Sequence, residues 1–472
     1  MATKRIHLIN PRSNTFISRP LIFGRSLYSP LAGLLAVAAL IPERYEVVLT
    51  DENVEEIDFD LDADLVGISA MTSYVKRGYA IADQFRERGV PVLMGGVHPS
   101  FMPDEALTHA DAVVIGEAEL IMDRIIGDLE KGRLGGVYKG DRLHPMTDMA
   151  MPRYELLKKN KYVTSTFIQT SRGCHHACTF CAEQLMYGLR FRYRPVDEVM
   201  REIDATGAKT IALNDADFFG TPSRAMEIMK ALKGRGVRWQ AGVNTAGAYD
   251  DELLDAAAES GCYMLAVGFE SLSRETLRNQ HKFQNTPEHY QAVVKKLHDR
   301  GIMVFGLFMF GFDQDDETVF DRTVDFNIEA DYDVCAYSIM TPYPGTLTWY
   351  EMQRQGRVVS TNWNAYDQGH VVYKPIGLSP EVLRDGHGRA YDRFYSARSM
   401  LRRFPLTGGR SRLYWSIYNL FYGRLEASDR HSATTIAEPT EATAYRPQPP
   451  LMPQRADWRE LILEGDSGAG AR

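Results

Sequence analysis

The sequence predicts an α/β protein: a doubly wound, Rossmann-like parallel sheet, then a partial, open barrel of six βα units, then a helical cap. Three observations carry this. Short apolar runs alternate with amphipathic helical stretches, and strands apolar on both faces belong to parallel sheets covered by helices. The alternation comes in two series, separated by the polar, proline-marked stretch "MPRYELLKKNKYV" (151–163). Past about residue 376 it stops.

In the first series the strands are "IHLIN" (6–10), "YEVVLTD" (45–51), "DLVGISA" (64–70), "VPVLMGG" (90–96) and "ADAVVIGE" (110–117). Amphipathic stretches such as "YVKRGYAIADQFRERG" (74–89) lie between them. Ligands of such sheets sit at the carboxyl ends of strands. Those ends carry "GISAMTS" (67–73), "GGVHPS" (95–100) and "GEAE" (116–119). Glycine there lets a backbone approach a bulky ligand; tight βα turns are the equal alternative.

The second series starts at "TSTFIQTS" (164–171). Helices over 196–207, 223–236, 250–261, 287–301 and 317–330 alternate with strands over 210–217, 237–244, 263–271, 303–312 and 334–344. A closed barrel of this kind needs eight units; six leave it open, with the reactive face again at the carboxyl ends. Gly207, Gly236, Gly261 and Gly301 fit helix C-caps. Residues 379–404 and 412–429 read as helices, and the Pro- and Thr-rich tail 430–472 is expected to be disordered. The expected domains are therefore 1–150, 164–375 and a cap over 376–429, with 151–163 as linker.

A chain of 472 residues exceeds one ordinary core. Its 44% hydrophobic and 25% charged residues are those of a globular protein. The net charge of −8 argues against a nucleic-acid partner. No apolar run approaches a membrane span, and the start lacks a signal-peptide pattern. Five cysteines, three of them clustered, do not make a disulfide framework, so a reducing cytoplasm is expected.

The cluster is "SRGCHHACTFCAEQ" (171–184), in which Cys174, Cys178 and Cys181 are spaced C-x3-C-x2-C directly after the first barrel strand. Soft thiolates in a tight loop suit an iron–sulfur cluster. Three thiolates on a [4Fe–4S] cube leave one iron free for another ligand. A zinc site completed by His175 or His176, or inert buried cysteines, are the alternatives.

With Phe180 before the third cysteine, this spacing resembles the radical S-adenosylmethionine (SAM) superfamily. The resemblance implies that the three cysteines hold a [4Fe–4S] cluster and that SAM chelates the open iron. Reductive cleavage then yields a 5′-deoxyadenosyl radical. "LNDADFF" (213–219), "GFES" (268–271), "FMFGFDQDDETV" (308–319, with Gly311) and "TPYPGT" (341–346) resemble the family's later strand-end segments. "NDAD" stands where the family carries Gly-Gly-Glu. The first series, with "GGVHP" and "VIGEAE", resembles the cobalamin-binding domain that precedes one subclass, the class B methylases and cyclases. The implied corrinoid contacts are Ser69, Gly95, Gly96, His98, Gly116 and Glu117, with a loop histidine that meets no ligand as the equal alternative for His98. The D-x-H-x-x-G lower-ligand motif is absent, since "TDENVEE" (50–56) has neither histidine nor glycine. No lower histidine ligand is expected from it.

The resemblance makes methylation of an unactivated carbon of a small molecule or lipid the expected reaction, with flavodoxin or ferredoxin as electron donor. An oxidative cyclase or hydroxylase, or a non-catalytic corrinoid sensor, are the alternatives. A methylthiotransferase would demand more cysteines, and residues 1–173 contain none.

Asp215 and Asp217 end the second barrel strand and are candidates to accept from the SAM ammonium; carboxylates at a helix N-terminus are the alternative. Asn244 either meets adenosine or substrate, or forms an Asx turn. Glu270 closes an apolar strand, where a charge needs a partner, and SAM ribose or amine is the expected one. One of Arg190, Arg192 and Arg194 is expected to fork onto the SAM carboxylate, the other two being solvated. Tyr343 is the candidate catalytic residue near substrate, or else a turn aromatic. Cys262 and Cys335 are expected as core thiols. "RLYWSIYNLFYG" (412–423) reads as a cap on the barrel in preference to a membrane-lying helix.

Overall fold

The structure is a computed structural model that describes residues 4–13, 26–28, 31–406 and 409–429. The tail 430–472 lies outside the described residues. The first sheet is formed by β1 (Lys4–Asn10), β2 (Tyr45–Asp51), β3 (Leu65–Ser69), β4 (Val92–Gly95), β5 (Ala112–Ile115) and β6 (Gly136–Lys139). Its order is β2-β1-β3-β4-β5-β6, parallel throughout. β1 runs in full register with β2 from Lys4↔Tyr45 to Asn10↔Asp51.

Alternating side chains of these strands face two cores. Ile6 and Leu8 meet Leu34 and Leu35 of helix α1 (Ala32–Leu40) and Ile125 of α3 (Met122–Glu130). Ile9, Val66 and Ile68 meet Ile81 and Phe85 of α2 (Val75–Glu87) in a core continuous with the barrel's. The sheet is thus covered on both faces, as its doubly apolar strands require. Strand order reverses beside β1, so the crevice for a ligand lies at the carboxyl ends of β1 and β3.

The second sheet is formed by β7 (Phe167–Ile168), β8 (Thr210–Leu213), β9 (Arg238–Val243), β10 (Cys262–Glu270), β11 (Met303–Phe310) and β12 (Val334–Ile339). They stand in sequential order, all parallel. Among the described residues β7 and β12 do not pair with each other, so the barrel is open. Helices α4 (Val196–Thr206), α5 (Pro222–Leu232), α6 (Asp251–Glu259), α7 (Tyr290–Asp299) and α8 (Val319–Glu329) return the chain between strands. Gly207 caps α4 in the left-handed conformation, where a side chain would be strained.

Three expectations change. The segment expected as a linker is packed: Tyr162 joins a short parallel pairing with Ser26 and donates to Asp51 at 2.7 Å, and Leu157 is buried. The strand β6 went unforeseen. The helix expected over 379–404 is two, α9 (Pro380–Phe394) and α10 (Ala397–Arg403), because Ser396 caps the second by accepting from Ser399 N–H. The last helix, α11 (Arg412–Asp429), has the expected span. Among the described residues no helix is long and apolar enough to cross a membrane.

Candidate functional site

Gly173 opens the cysteine loop at φ +88, and a Cβ there would strike the carbonyl of Arg190. Glycine is therefore required for the chain to turn from β7 into the cysteines. Cys174 N–H then donates to Gly188 O at 3.2 Å, closing the loop at its far end. Its middle is tied to the barrel wall. Thr179 N–H donates to Gln280 O at 3.3 Å, Thr348 Oγ1 donates to Thr179 Oγ1 at 3.1 Å, and Gln184 Nε2 donates to Cys178 O at 3.1 Å.

Cys174 and Cys178 are buried and Cys181 is half-buried. Burial pushes the Cys174 and Cys181 thiols up to about 12, and raises Cys178 as well. Burial disfavours the free thiolates, and a metal that binds them takes the place of their protons. Among the described residues no three His, Cys, Asp or Glu side chains converge as they would on a single ion. Three thiols on one short loop fit a larger cube bonded at three corners.

Lys282, which the sequence reading missed, completes this side. Its Nζ is 2.6 Å from Glu270 Oε1, with both side chains nearly buried, and 5.9 Å from the Phe180 ring centroid. Burial would lower the Lys282 pKa, but Glu270 and the facing Cys178 and Cys181 outweigh it and raise it. Glu270 sits at φ +64, beside a register shift at the end of β10. Such strain in a non-glycine residue persists only where its surroundings enforce it. Gly268 makes room for the pair, since a Cβ there would lie 2.7 Å from Glu270 Oε1 and 3.1 Å from Lys282 Nζ.

The two aspartates face different partners. Asp215 is half-buried and accepts from Thr170 N–H at 2.7 Å, Ser171 N–H at 3.0 Å and the Thr170 hydroxyl. It braces the chain just before the cysteines. Asp217 accepts from Asn244 N–H at 3.1 Å and Asn244 Nδ2 at 2.6 Å, and lies 3.3 Å from His176 Nε2. Asn244 Oδ1 in turn accepts from Gly247 N–H at 2.7 Å, the Asx turn foreseen as its alternative.

Several expected contacts prove to be internal. His98 is fully buried, its Nδ1 3.2 Å from Thr72 Oγ1 and its Nε2 3.3 Å from Glu105 Oε1, with Trp363 edge-on to its ring. It belongs to the core and does not open onto a ligand. Tyr343 donates to Tyr366 O at 3.1 Å, so its phenol faces protein, as a turn aromatic's would. Gly311, at φ +96, is walled by Tyr373 and Leu383. Arg192 and Arg194 are not solvated: Arg192 pairs with Glu117 at 2.8 Å, and Arg194 pairs with Glu202. Arg190 is exposed. Cys262 and Cys335 are buried, as expected.

Glu117 joins the two sheets. It accepts from Arg172 Nη1 at 3.0 Å, Arg192 Nη2 at 2.8 Å and His144 N–H at 2.7 Å, while Glu119 accepts from Arg172 Nη2 at 2.7 Å. Burial would raise the Glu117 carboxyl, but the two guanidiniums hold it below its usual value. Beside it lies a cavity of about 280 Å³ between the sheets, lined by Ser100, Gly116, Glu117, Gln184, Met186 and Gly188.

The strand-end glycines differ. At Gly96, φ is +95 and a Cβ would lie 2.8 Å from Ala70 O and 3.0 Å from Ser69 Oγ. At Gly116, φ is +76 with open space beyond, and at Gly95 the nearest atom is an ordinary 3.6 Å away. The open space beside Gly116 fits a bulky ligand laid against bare backbone.

Comparison with known proteins agrees with this geometry. Residues 168–326 match the model of the radical SAM superfamily, and residues 25–126 match that of the B12 binding domain. The chain is 32% identical to the bacteriochlorophyllide d C-12(1)-methyltransferase of Chlorobaculum tepidum over 85% of this chain and 89% of that one. It is 27% identical to the bacteriochlorophyllide d C-8(2)-methyltransferase of the same organism, over 80% and 88%. Its fold matches the radical SAM methyltransferase TsrM from Kitasatospora setae, solved with cobalamin and a [4Fe–4S] cluster, at a TM-score of 0.62 and 19% identity over 93% of both chains. The cofactors are a [4Fe–4S] cluster, SAM and cobalamin. With thiols on the barrel's face, glycines on the first sheet's and relatives matched along most of its length, the chain belongs to the cobalamin-dependent radical SAM methyltransferases.

Proposed function

We propose that the enzyme methylates an unactivated carbon of a small-molecule or lipid substrate, with Cys174, Cys178 and Cys181 as the cluster ligands. The observation that carries this reading is the bracket from Glu117 to Arg172, which ties the first sheet's carboxyl end to the residue before Gly173 and Cys174. When bound, cluster and SAM supply a carbon-centred adenosyl radical, and cobalamin carries a methyl group.

The chain's own residues do the rest. The buried loop keeps water from the thiolates, which strengthens every charge interaction around them. Lys282, held by Glu270, sets a permanent cation beside two of them. Asp215 pins Thr170 and Ser171, and through them the direction in which the loop leaves β7. Glu270, which holds the Lys282 cation beside the cysteine loop, is the carboxylate we assign to the polar end of SAM. Ser69, Gly95, Gly96 and Gly116 are assigned to the corrinoid. The electron donor is a flavodoxin or ferredoxin.

Because relatives act on bacteriochlorophyllides, a chlorophyllide-type tetrapyrrole is the first substrate to test. Anaerobic holoenzyme, reductant and methyl-labelled SAM are expected to place label on a product carbon and to release 5′-deoxyadenosine. An oxidised or cyclised product without label would overturn methylation.

A further inference from the structure

Helix α11 has two unlike faces. One is locked onto the barrel: Trp415, Tyr418, Phe421 and Tyr422 are buried, Tyr418 donates to Gln240 Oε1 at 3.0 Å, and Asn419 Nδ2 donates to Asp333 O at 2.9 Å. The helix therefore cannot roll. Its other face holds Leu413 and Leu420, 68% and 48% exposed, with half-buried Ile417 between them. Spacings of four and seven residues set all three on one stripe. Leu406, 72% exposed, sits just before the helix, where Arg412 Nη2 donates to its carbonyl at 2.7 Å.

The charge around this stripe is one-sided. Residues 397–424 contain Arg398, Arg402, Arg403, Arg410, Arg412 and Arg424 and no Asp or Glu, in a chain of net charge −8; Glu426 and Asp429 follow only in the helix's last turn. Arg403 and Arg410 are consumed internally, by the carbonyls of Tyr332 and Phe394 and by Asp333. Arg398, Arg402 and Arg412 are exposed and form no ion pair with a carboxylate among the residues whose side chains are described, which end at Gly423. Exposed leucines on a fixed helix, with arginines at its first residue and on the preceding helix that no described carboxylate answers, complement an anionic lipid surface, and the helix is not apolar enough to span one.

We propose that the outer face of the last helix docks on an anionic phospholipid bilayer, with Leu406, Leu413 and Leu420 at the acyl boundary and Arg398, Arg402 and Arg412 at the lipid phosphates. Lying in the interface, the helix would hold the barrel against the membrane without crossing it.

The test is co-sedimentation of full-length holoenzyme with vesicles of phosphatidylglycerol and phosphatidylcholine, or of phosphatidylcholine alone. Binding to the anionic vesicles is expected to exceed that to neutral ones about tenfold and to fall as salt is raised. Leu413→Asp with Leu420→Asp is expected to lose about tenfold on the anionic vesicles, with cluster and corrinoid absorbance and melting temperature retained. Arg398→Gln with Arg402→Gln is expected to weaken anionic binding while leaving neutral binding unchanged. Absence of binding to anionic vesicles, or binding indifferent to both pairs of substitutions, overturns the proposal. So does a self-associating species dissolved by the leucine substitutions, which would assign the stripe to a second copy of the chain.

Discussion

At the carboxyl ends of the first sheet the ionisable side chains turn back into protein, His98 to Thr72 and Glu105, Glu117 to Arg172 and Arg192. Open space there borders bare backbone, at Gly116. At the carboxyl ends of the barrel the reverse holds: three thiols, the Lys282–Glu270 pair and the Asp217–Asn244 contact gather round one loop. The first sheet's strand ends thus present bare backbone, and the barrel's a concentration of ionisable side chains. Residue type at a strand end therefore means different things in the two halves.

Cys178→Ser is the severest test of this contrast. It is expected to abolish SAM cleavage and the cubane electron paramagnetic resonance signal while cobalamin absorbance persists. A retained signal would break the contrast on the barrel side. Next comes removal of one partner from a buried pair. Lys282→Met leaves Glu270 unpaired, and Glu117→Gln leaves Arg192 without a carboxylate and Arg172 with Glu119 alone; each is expected to lose about 3–5 kcal/mol of stability in anaerobic denaturation. Adding Glu270→Gln to Lys282→Met is expected to recover most of its loss. Glu117→Gln is also expected to speed amide exchange in residues 171–195.

The glycine side is sharpened by a pair. Gly96→Ala, which would meet Ala70 O and Ser69 Oγ, is expected to cost about 1–3 kcal/mol. Gly116→Ala meets only open space and is expected to cost about 1–2 kcal/mol of backbone strain, with the larger change in cobalamin affinity, measured by titration of the corrinoid. The smallest effect is one of pH. Burial raises the Asp315 carboxyl from 3.8 to about 6, although Gly311 and Phe312 N–H groups pull it down. Between these values the folded state keeps a proton that the unfolded chain has released, so stability falls as pH rises through the window. Asp315→Asn is expected to flatten that slope in melting curves taken from pH 4 to 6.

The fold was legible where one local signal sufficed. Tyr45–Asp51 is an apolar run between polar flanks, and Arg412–Asp429 keeps helical spacing throughout, so both bounds emerge from the chain itself. Gly136–Lys139 was not legible: its strand is largely exposed at a sheet edge, with no apolar run to mark it. In the site, the cysteine spacing was plain because all three thiols share one loop. Lys282 was hidden because it meets Glu270 across an irregular polar stretch, "NQHKFQN", where no period announces a contact. The partners of Glu117 lie 55 and 75 residues along the chain, and only the folded topology unites them. The same distance made Arg192 look like a surface charge.

One consequence follows for anyone recombining such enzymes. The Glu117–Arg172–Glu119 bracket and the Tyr162–Asp51 bond straddle the seam between the halves, so neither half carries its own complete set of counter-charges. A chimaera that grafts a foreign corrinoid module onto this barrel must import acids that match Arg172 and Arg192, or it will bury cations with nothing to answer them. Swapping modules here is a question of lock and ward, not of choosing a convenient splice point.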